Sequence, residues 1–235
     1  MRTRYPAAAA GPARTGRPGM LVGMASTVHR VRFTREELAA AAGKLLPDVI
    51  APGLDVLLCG INPGLWSAAT GHHFARPGNR FWPALHRSGF TPRQLRPDEQ
   101  GTLPEYGLGI TNLAARATAR ADELTREELT EGGRVLRAKV AEYAPAWLAV
   151  LGVTAYRVAF GTSTAKVGPQ ESTLDRTRLW ILPNPSGLNA HFTLDALAEE
   201  FTRLRRAAAA STPPAAQAPG RASGDSKRAA RSRRS

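Results

Sequence analysis

Two asparagines stand where apolar runs end. Val56-Leu57-Leu58-Cys59 leads directly into Gly60-Ile61-Asn62-Pro63-Gly64, and about 120 residues further on Leu179-Trp180-Ile181-Leu182-Pro183 leads into Asn184-Pro185-Ser186-Gly187-Leu188. Each apolar run suits a buried strand, and each Asn-Pro marks a turn. Two such corners project two amide side chains from the same end of a sheet, and in open α/β sheets that end is where ligands sit. An amide offers a donor and an acceptor but cannot take up a proton at neutral pH. The chemistry on offer is therefore binding and orienting. The long glycine-rich segment 60–78 follows the first corner and shows no period. A loop of that length in a compact domain is usually functional.

The elements that must position these corners can be read in turn. Thr34 with Glu37 forms a capping box ahead of an alanine-rich run, which predicts a helix over about 35–45. Pro47 and Pro52-Gly53 end it. Leu54 to Cys59 is the first strand. Asn79 is placed to cap a helix containing Phe81, Trp82, Leu85 and His86. Leu108 to Leu113 is a second strand. Thr125-Arg126-Glu127-Glu128 opens a helix to about Tyr143, with Gly132-Gly133 inside it. Two such glycines cost roughly 1 kcal/mol each relative to Ala, which hints at close packing there. Trp147 to Leu151 is a third strand, followed by a helix from about Val153 to Phe160. Arg178 to Leu182 is the fourth strand, and Leu194 to Leu204 the last helix. Strands alternate with helices, which predicts βαβ units. The expected fold is an α/β, three-layer α/β/α sandwich around a central, mainly parallel four-stranded sheet.

The charge lies in the ends. Residues 1–32 carry +6 and residues 203–235 carry +8 of a net +13, which leaves about −1 for residues 33–202. Both ends are rich in Ala, Pro, Gly and Arg without apolar periodicity, so they are expected to be disordered. A basic tail on a neutral domain suits salt-sensitive attraction to a polyanion such as DNA. The Arg, Ala and Pro excess is equally what a GC-rich genome supplies. Cys59 is the single cysteine. It excludes an internal disulfide and a Cys₄ metal site, and its apolar neighbours predict a buried, inert thiol. No apolar stretch approaches a membrane span, and the N-terminal arginines and alanines lack the hydrophobic region of a signal peptide. A cytoplasmic protein with no membrane partner is expected.

The motifs carry a resemblance. Gly60-Ile61-Asn62-Pro63-Gly64, then Thr70-Gly71, Phe74-Ala75 and Asn79-Arg80-Phe81-Trp82, resembles the mismatch-specific uracil-DNA glycosylase family, which includes the thymine-DNA glycosylases. Asn184-Pro185-Ser186-Gly187-Leu188 resembles its second motif, and Glu131-Gly132-Gly133-Arg134 with Tyr143-Ala144-Pro145 its middle helix. The similarity covers roughly 48–206. Other uracil-DNA glycosylases carry an Asp in the first motif and begin the second with a His. Asn62 and Asn184 place this chain in the mismatch-specific branch.

The resemblance implies a catalytic domain over 33–206 between basic tails at 1–32 and 207–235. It also implies a monofunctional, monomeric DNA repair hydrolase without cofactor or metal. Such an enzyme hydrolyses the N-glycosidic bond of uracil, and in some members of thymine or etheno-cytosine, in mismatched double-stranded DNA such as G·U, and leaves an abasic site. The target nucleotide must rotate out of the duplex, at a cost lowest for a mismatched pair. Asn62 is implied to hold the attacking water, and Phe74 to stack on the flipped base. Ile61 is a pocket residue through its backbone, and Ser67 lies near the pyrimidine C5 edge. Asn184 supports the active-site loop or the leaving base. Leu188 is the wedge that fills the vacated stack, and Gly187 and Asn189 flank it where they would meet the opposite base. Trp66, Ala69 and the Asn189-Ala190 pair depart from the family pattern.

Other residues read plainly. His72-His73 lacks a third ligand, so no metal site is expected. His191 sits near the start of the last helix, and Arg134, Arg137 and Lys139 form a solvated helix face. Arg76 and Arg80 are either phosphate contacts or ordinary surface charge. Asn112 either lines the pocket mouth or ends its strand in a turn. Two rival readings stand beside the glycosylase. One is a non-catalytic nucleic-acid-binding protein acting through its basic tails. The other is a nucleotide enzyme using Gly60–Gly64 as a phosphate loop, for which the Gly-Lys-Ser/Thr ending is missing.

Overall fold

The computed structural model describes residues 32–189 and 191–211. A five-stranded sheet in the order β2-β1-β3-β5-β4 runs through the middle of the chain. Its strands are β1 (Val56–Gly60), β2 (Leu108–Asn112), β3 (Trp147–Leu151), β4 (Gly168–Leu174) and β5 (Thr177–Leu182). β1, β2, β3 and β5 are parallel, and they are the four strands expected from the apolar runs. They are buried on both faces, which is why they read as unbroken apolar runs rather than as alternation.

The fifth strand corrects the four-stranded expectation. β4 pairs antiparallel with β5 at the sheet edge. Its sequence Gly-Pro-Gln-Glu-Ser-Thr-Leu is largely exposed and polar. An edge strand facing water needs no apolar run and leaves no such signal.

Alternate strand residues feed two cores. On one face Leu58, Ile110, Ala149 and Leu182 meet α3 (Phe81–Arg87) and α6 (Leu194–Ser211) through Phe81, Leu85, Leu197 and Phe201. On the other, Leu57, Cys59, Val150 and Ile181 meet α4 (Arg126–Tyr143) and α5 (Val153–Phe160) through Leu136, Val140 and Tyr156. The helix glycines mark the close packing they hinted at. A Cβ on Gly132 would lie 2.3 Å from Leu113 O, and one on Gly133 would lie 2.3 Å from Ala159 O. Burial pushes the Cys59 thiol well above its ordinary range, so it stays protonated.

Three boundaries differ from the sequence reading. α1 covers only Arg35–Ala39, although its Thr34–Glu37 capping box is formed. Beyond it the chain leaves helix and pairs with the sheet instead. Gly43 N–H bonds Ala117 O, and Val49 and Ile110 exchange both backbone hydrogen bonds. These tertiary bonds override the alanine propensity. The segment 60–78, expected as loop, contains the short helix α2 (Leu65–Thr70), closed by Gly71 in the left-handed region. α6 runs through Ser211, past the boundary expected at 206, with Ala208 buried on its core side. Of the tails expected to be disordered, 1–32 and 207–235, residues 1–31 and 212–235 lie outside the described residues, as does Ala190.

β1 connects to β2 on one side, while β3 lies on its other side. The carboxyl ends of β1 and β3 therefore flank a switch point, which opens a crevice in sheets of this kind.

Candidate active site

A cavity of about 130 Å³ occupies that crevice. This is well above the ~10–15 Å³ that one water needs. Its wall includes Ile61, Asn62, Ser67, His73, Phe74, Asn112, Asn184 and Leu188. The two Asn-Pro corners thus meet around one space. Of the residues expected at the site, only Gly187 and Asn189 lie outside this wall, and both sit in the loop beside it.

The first corner is rigid because the chains leaving β1 and β2 keep pairing. Leu113 and Ala114 donate to Gly60 O and Ile61 O, and Thr118 N–H donates to Pro63 O. This brings Thr118 beside Asn62. The two N–H groups of Asn62 Nδ2 are shared among three acceptors, Thr118 Oγ1 at 2.7 Å, Arg116 O at 3.0 Å and Pro63 O at 3.2 Å. Two of these acceptors are carbonyls, which only the amide nitrogen can face. The Thr118 hydroxyl is also committed, because it donates to Arg120 O at 2.7 Å. The direction of the amide is therefore fixed, and Oδ1 is the atom left for the cavity.

The second corner fixes its amide the other way. Asn184 Oδ1 accepts from Ser186 N–H at 3.0 Å in an Asx turn. That leaves Nδ2, a donor. The side chain of Asn189 is used within the same loop: Nδ2 donates to Asn184 O and Oδ1 accepts from His191 N–H.

Phe74 sits at φ 54°, a conformation rare for a non-glycine residue. Its neighbours hold it there. His73 N–H donates to Gln100 Oε1 at 2.7 Å, and Ala75 N–H donates to the buried Ser67 Oγ at 3.3 Å. The Phe74 ring stacks on Phe81 with centroids 4.0 Å apart. One face is thus covered, and the ring lines the cavity. Gly60 is required beneath it: a Cβ there would strike Asn112 Oδ1 at 2.5 Å and meet the Phe74 ring at 3.3 Å.

Sequence reasoning missed several wall residues, Thr118 and His73 among them. Thr118 carries no local motif and is placed only by the β1–β2 pairing. His73 was set aside with His72 as a poor metal pair, yet it is buried at 2% exposure. Its Nε2–H donates to Pro47 O at 2.9 Å. The neutral ring therefore presents Nδ1 as an acceptor, and Asn112 Nδ2 donates to it at 3.4 Å. Asn112 lines the cavity, the first of the two alternatives left for it. Burial pushes the His73 pKa below its ordinary value, against the Pro47 carbonyl and Asp48, which pull it up. Among the described residues no group of three or more His, Cys, Asp or Glu is placed to hold a metal ion.

Arg76 is exposed at the cavity wall. Arg80 is not ordinary surface charge. Its guanidinium is half-buried and donates to Ser186 O, Asn189 O and Phe192 O. Leu188 stands out at 68% exposure between the cavity and a neighbouring hollow lined by Arg120, Asp122 and Ser186. A model of the uracil DNA glycosylase superfamily matches residues 47–208, the span that holds every residue of this cavity.

Proposed function

The chain belongs to the uracil DNA glycosylase superfamily, whose members are hydrolases that act on DNA, and from that premise we propose that it removes uracil from G·U mismatches in double-stranded DNA by base flipping. The observation that carries this reading is the opposed fixing of the two amides at one cavity. Asn62 offers an acceptor and Asn184 a donor.

Glycosidic hydrolysis passes through a transition state with cationic sugar character. Asn62 Oδ1 accepts one O–H of a water and aims its lone pair at the sugar carbon. The amide takes no proton, so the bond to the base must stretch before the water commits. The departing uracil gathers negative charge as it leaves. Asn184 Nδ2 is placed to donate to it, which stabilises charge that develops only in the transition state. Phe74 stacks on the extruded base, worth about 1–3 kcal/mol for such a pair. Leu188 enters the gap left in the duplex. The water's proton leaves to solvent once the sugar cation has been captured. Ser67, buried on the wall near the expected C5 edge, sets the fit between uracil and thymine.

The test is base release by the full-length protein. Labelled duplexes carrying uracil, thymine, hypoxanthine or etheno-cytosine opposite each base are incubated with EDTA present. Uracil opposite guanine should be released fastest, as the free base, leaving an abasic site. If the basic tails act without catalysis instead, deleting 212–235, the part of the C-terminal tail beyond α6, abolishes function, while Asn62→Ala does not. Release of no base from any duplex would discard the glycosylase.

A further inference from the structure

Leu188 can only act as a wedge if something holds it out against the duplex. The described residues of the loop 184–192 contain no regular structure, and their own hydrogen bonds are local: Asn184 to Ser186, Ser186 to Leu188 and Asn189, Asn189 to Asn184 and His191. Such bonds shape the loop but do not fix its place. Among the described residues, the hydrogen bonds that tie it to the rest of the chain all come from Arg80. The Arg80 N–H donates to Pro185 O at 3.0 Å, and its guanidinium reaches the carbonyls of Ser186, Asn189 and Phe192. The loop is coiled around one cation, with its carbonyls turned inward and Leu188 outward. A Cβ on Gly187 would lie 2.7 Å from Gly78 O, so the tip of the loop also rests on the strip of chain that leads into Arg80.

The residue after Arg80 ties the same point of the chain to the base pocket. Phe81 is fully buried and stacks on Phe74, the ring at the cavity wall. Arg80 holds the wedge and Phe81 holds the stacking ring, at adjacent positions where α3 begins. We propose that Arg80 is a positioning residue for base extrusion: it sets the wedge loop at a fixed distance from the base pocket, so that a nucleotide displaced by Leu188 arrives at Phe74. Lysine is a poor replacement, since a compact ammonium on a flexible stem lacks the rigid fork with which two separate guanidinium nitrogens reach three carbonyls.

This inference rests on the glycosylase reading, and its test separates the two. Single-turnover uracil release is measured for wild type, Arg80→Lys, Arg80→Ala, Leu188→Ala and the Arg80→Lys/Leu188→Ala double variant. One duplex carries guanine opposite uracil. A second carries a pyrene nucleotide there, a flat aromatic that fills the vacated stack from the DNA side and so replaces the wedge. Arg80→Lys and Leu188→Ala should each slow the guanine duplex roughly tenfold or more, as expected for losing charge-assisted hydrogen bonds or a wedge. Both should regain most of the wild-type rate on the pyrene duplex. The double variant should be no slower than Leu188→Ala alone, because the two changes remove one device.

A merely structural role for Arg80 gives equal slowing on both duplexes, or losses that multiply in the double variant. Either result overturns the proposal, as does an unaffected Arg80→Lys. If Arg80→Ala fails to fold, Arg80→Lys and the double variant carry the test. No release by wild type from either duplex overturns the glycosylase reading and this inference with it, whereas release by wild type with any of the contrary patterns overturns this inference alone.

Discussion

The two Asn-Pro corners leave the sheet with the same dipeptide and present opposite ends of the same side chain. Asn62 is turned by what lies beside it. The neighbouring β2 strand continues as Arg116 to Thr118, whose acceptors capture its nitrogen and leave the oxygen. Asn184 is turned by its own loop, which captures its oxygen and leaves the nitrogen. One corner borrows rigidity from the sheet, and the other makes its own turn and leans on Arg80. A single residue type thereby presents an acceptor at one corner and a donor at the other, which the proposed reaction uses for the water and for the leaving base. Residue identity alone does not settle what an amide does at a site; the groups that bind its far end do.

The sharpest way to break the comparison is at Asn62. Asn62→Ala should slow uracil release by on the order of 10²-fold or more in single-turnover kinetics, the scale for losing the alignment of a reacting group. Asn62→Asp should also lose activity rather than gain a base, because a carboxylate oxygen would face the carbonyls of Arg116 and Pro63. A faster Asn62→Asp enzyme would mean that the amide is free to turn.

Asn184 comes next. Asn184→Ala should cost about tenfold on uracil. The loss should shrink on 5-fluorouracil, whose ring already carries negative charge well. The Asn62→Ala defect should persist with both bases. Equal sensitivity of the two variants to the leaving group would erase the division of labour proposed for the corners.

Thr118 offers a smaller and more specific check. Thr118→Val removes the hydroxyl that receives Asn62 Nδ2 but keeps the shape. A several-fold fall in kcat is expected, in line with one neutral hydrogen bond, and Thr118→Ser should restore it. Loss in KM rather than kcat would place Thr118 in binding instead.

How much of this was legible in the sequence follows from range. The parallel strands were legible because burial on both faces demands unbroken apolar runs, and the corners because Asn, Pro and Gly announce turns locally. β4 was hidden because an exposed edge tolerates Gln170, Glu171 and Ser172. The site residues whose contacts escaped notice share one cause. Thr118 acts through Asn62, His73 through Asn112, and Arg80 through the wedge loop more than 100 positions away. Each pairing depends on which strands and loops lie side by side, and no local pattern encodes that. Asn189 shows the same limit: its position beside Leu188 was legible, but the closing of the loop by its side chain was not.

The smallest effect expected concerns the wall between the corners. His73 has its pKa lowered by burial. The unfolded chain therefore binds a proton at a higher pH than the folded one. Stability tied to His73 is fully present above the ordinary value of 6.5 and falls as the pH drops toward the folded-state value. Asp48 and Lys139 sit behind it with opposed charge, and His72 beside it repels the charged form. Thermal midpoints of wild type and His73→Gln, compared from above 6.5 downward, should converge as the pH falls. Parallel curves would remove His73 from the linkage.

The account turns on one arrangement: a flipped uracil lying between an accepting Asn62 and a donating Asn184, with Leu188 in the gap it left. A crystal structure of the protein bound to a G·U duplex whose uracil carries a hydrolysis-resistant 2′-fluoro sugar reads this directly. The account predicts the base stacked on Phe74, a water on Asn62 Oδ1, Asn184 Nδ2 on a base oxygen, and Leu188 between the flanking pairs. A uracil still stacked in the helix, or flipped with Leu188 left in solvent, would contradict it.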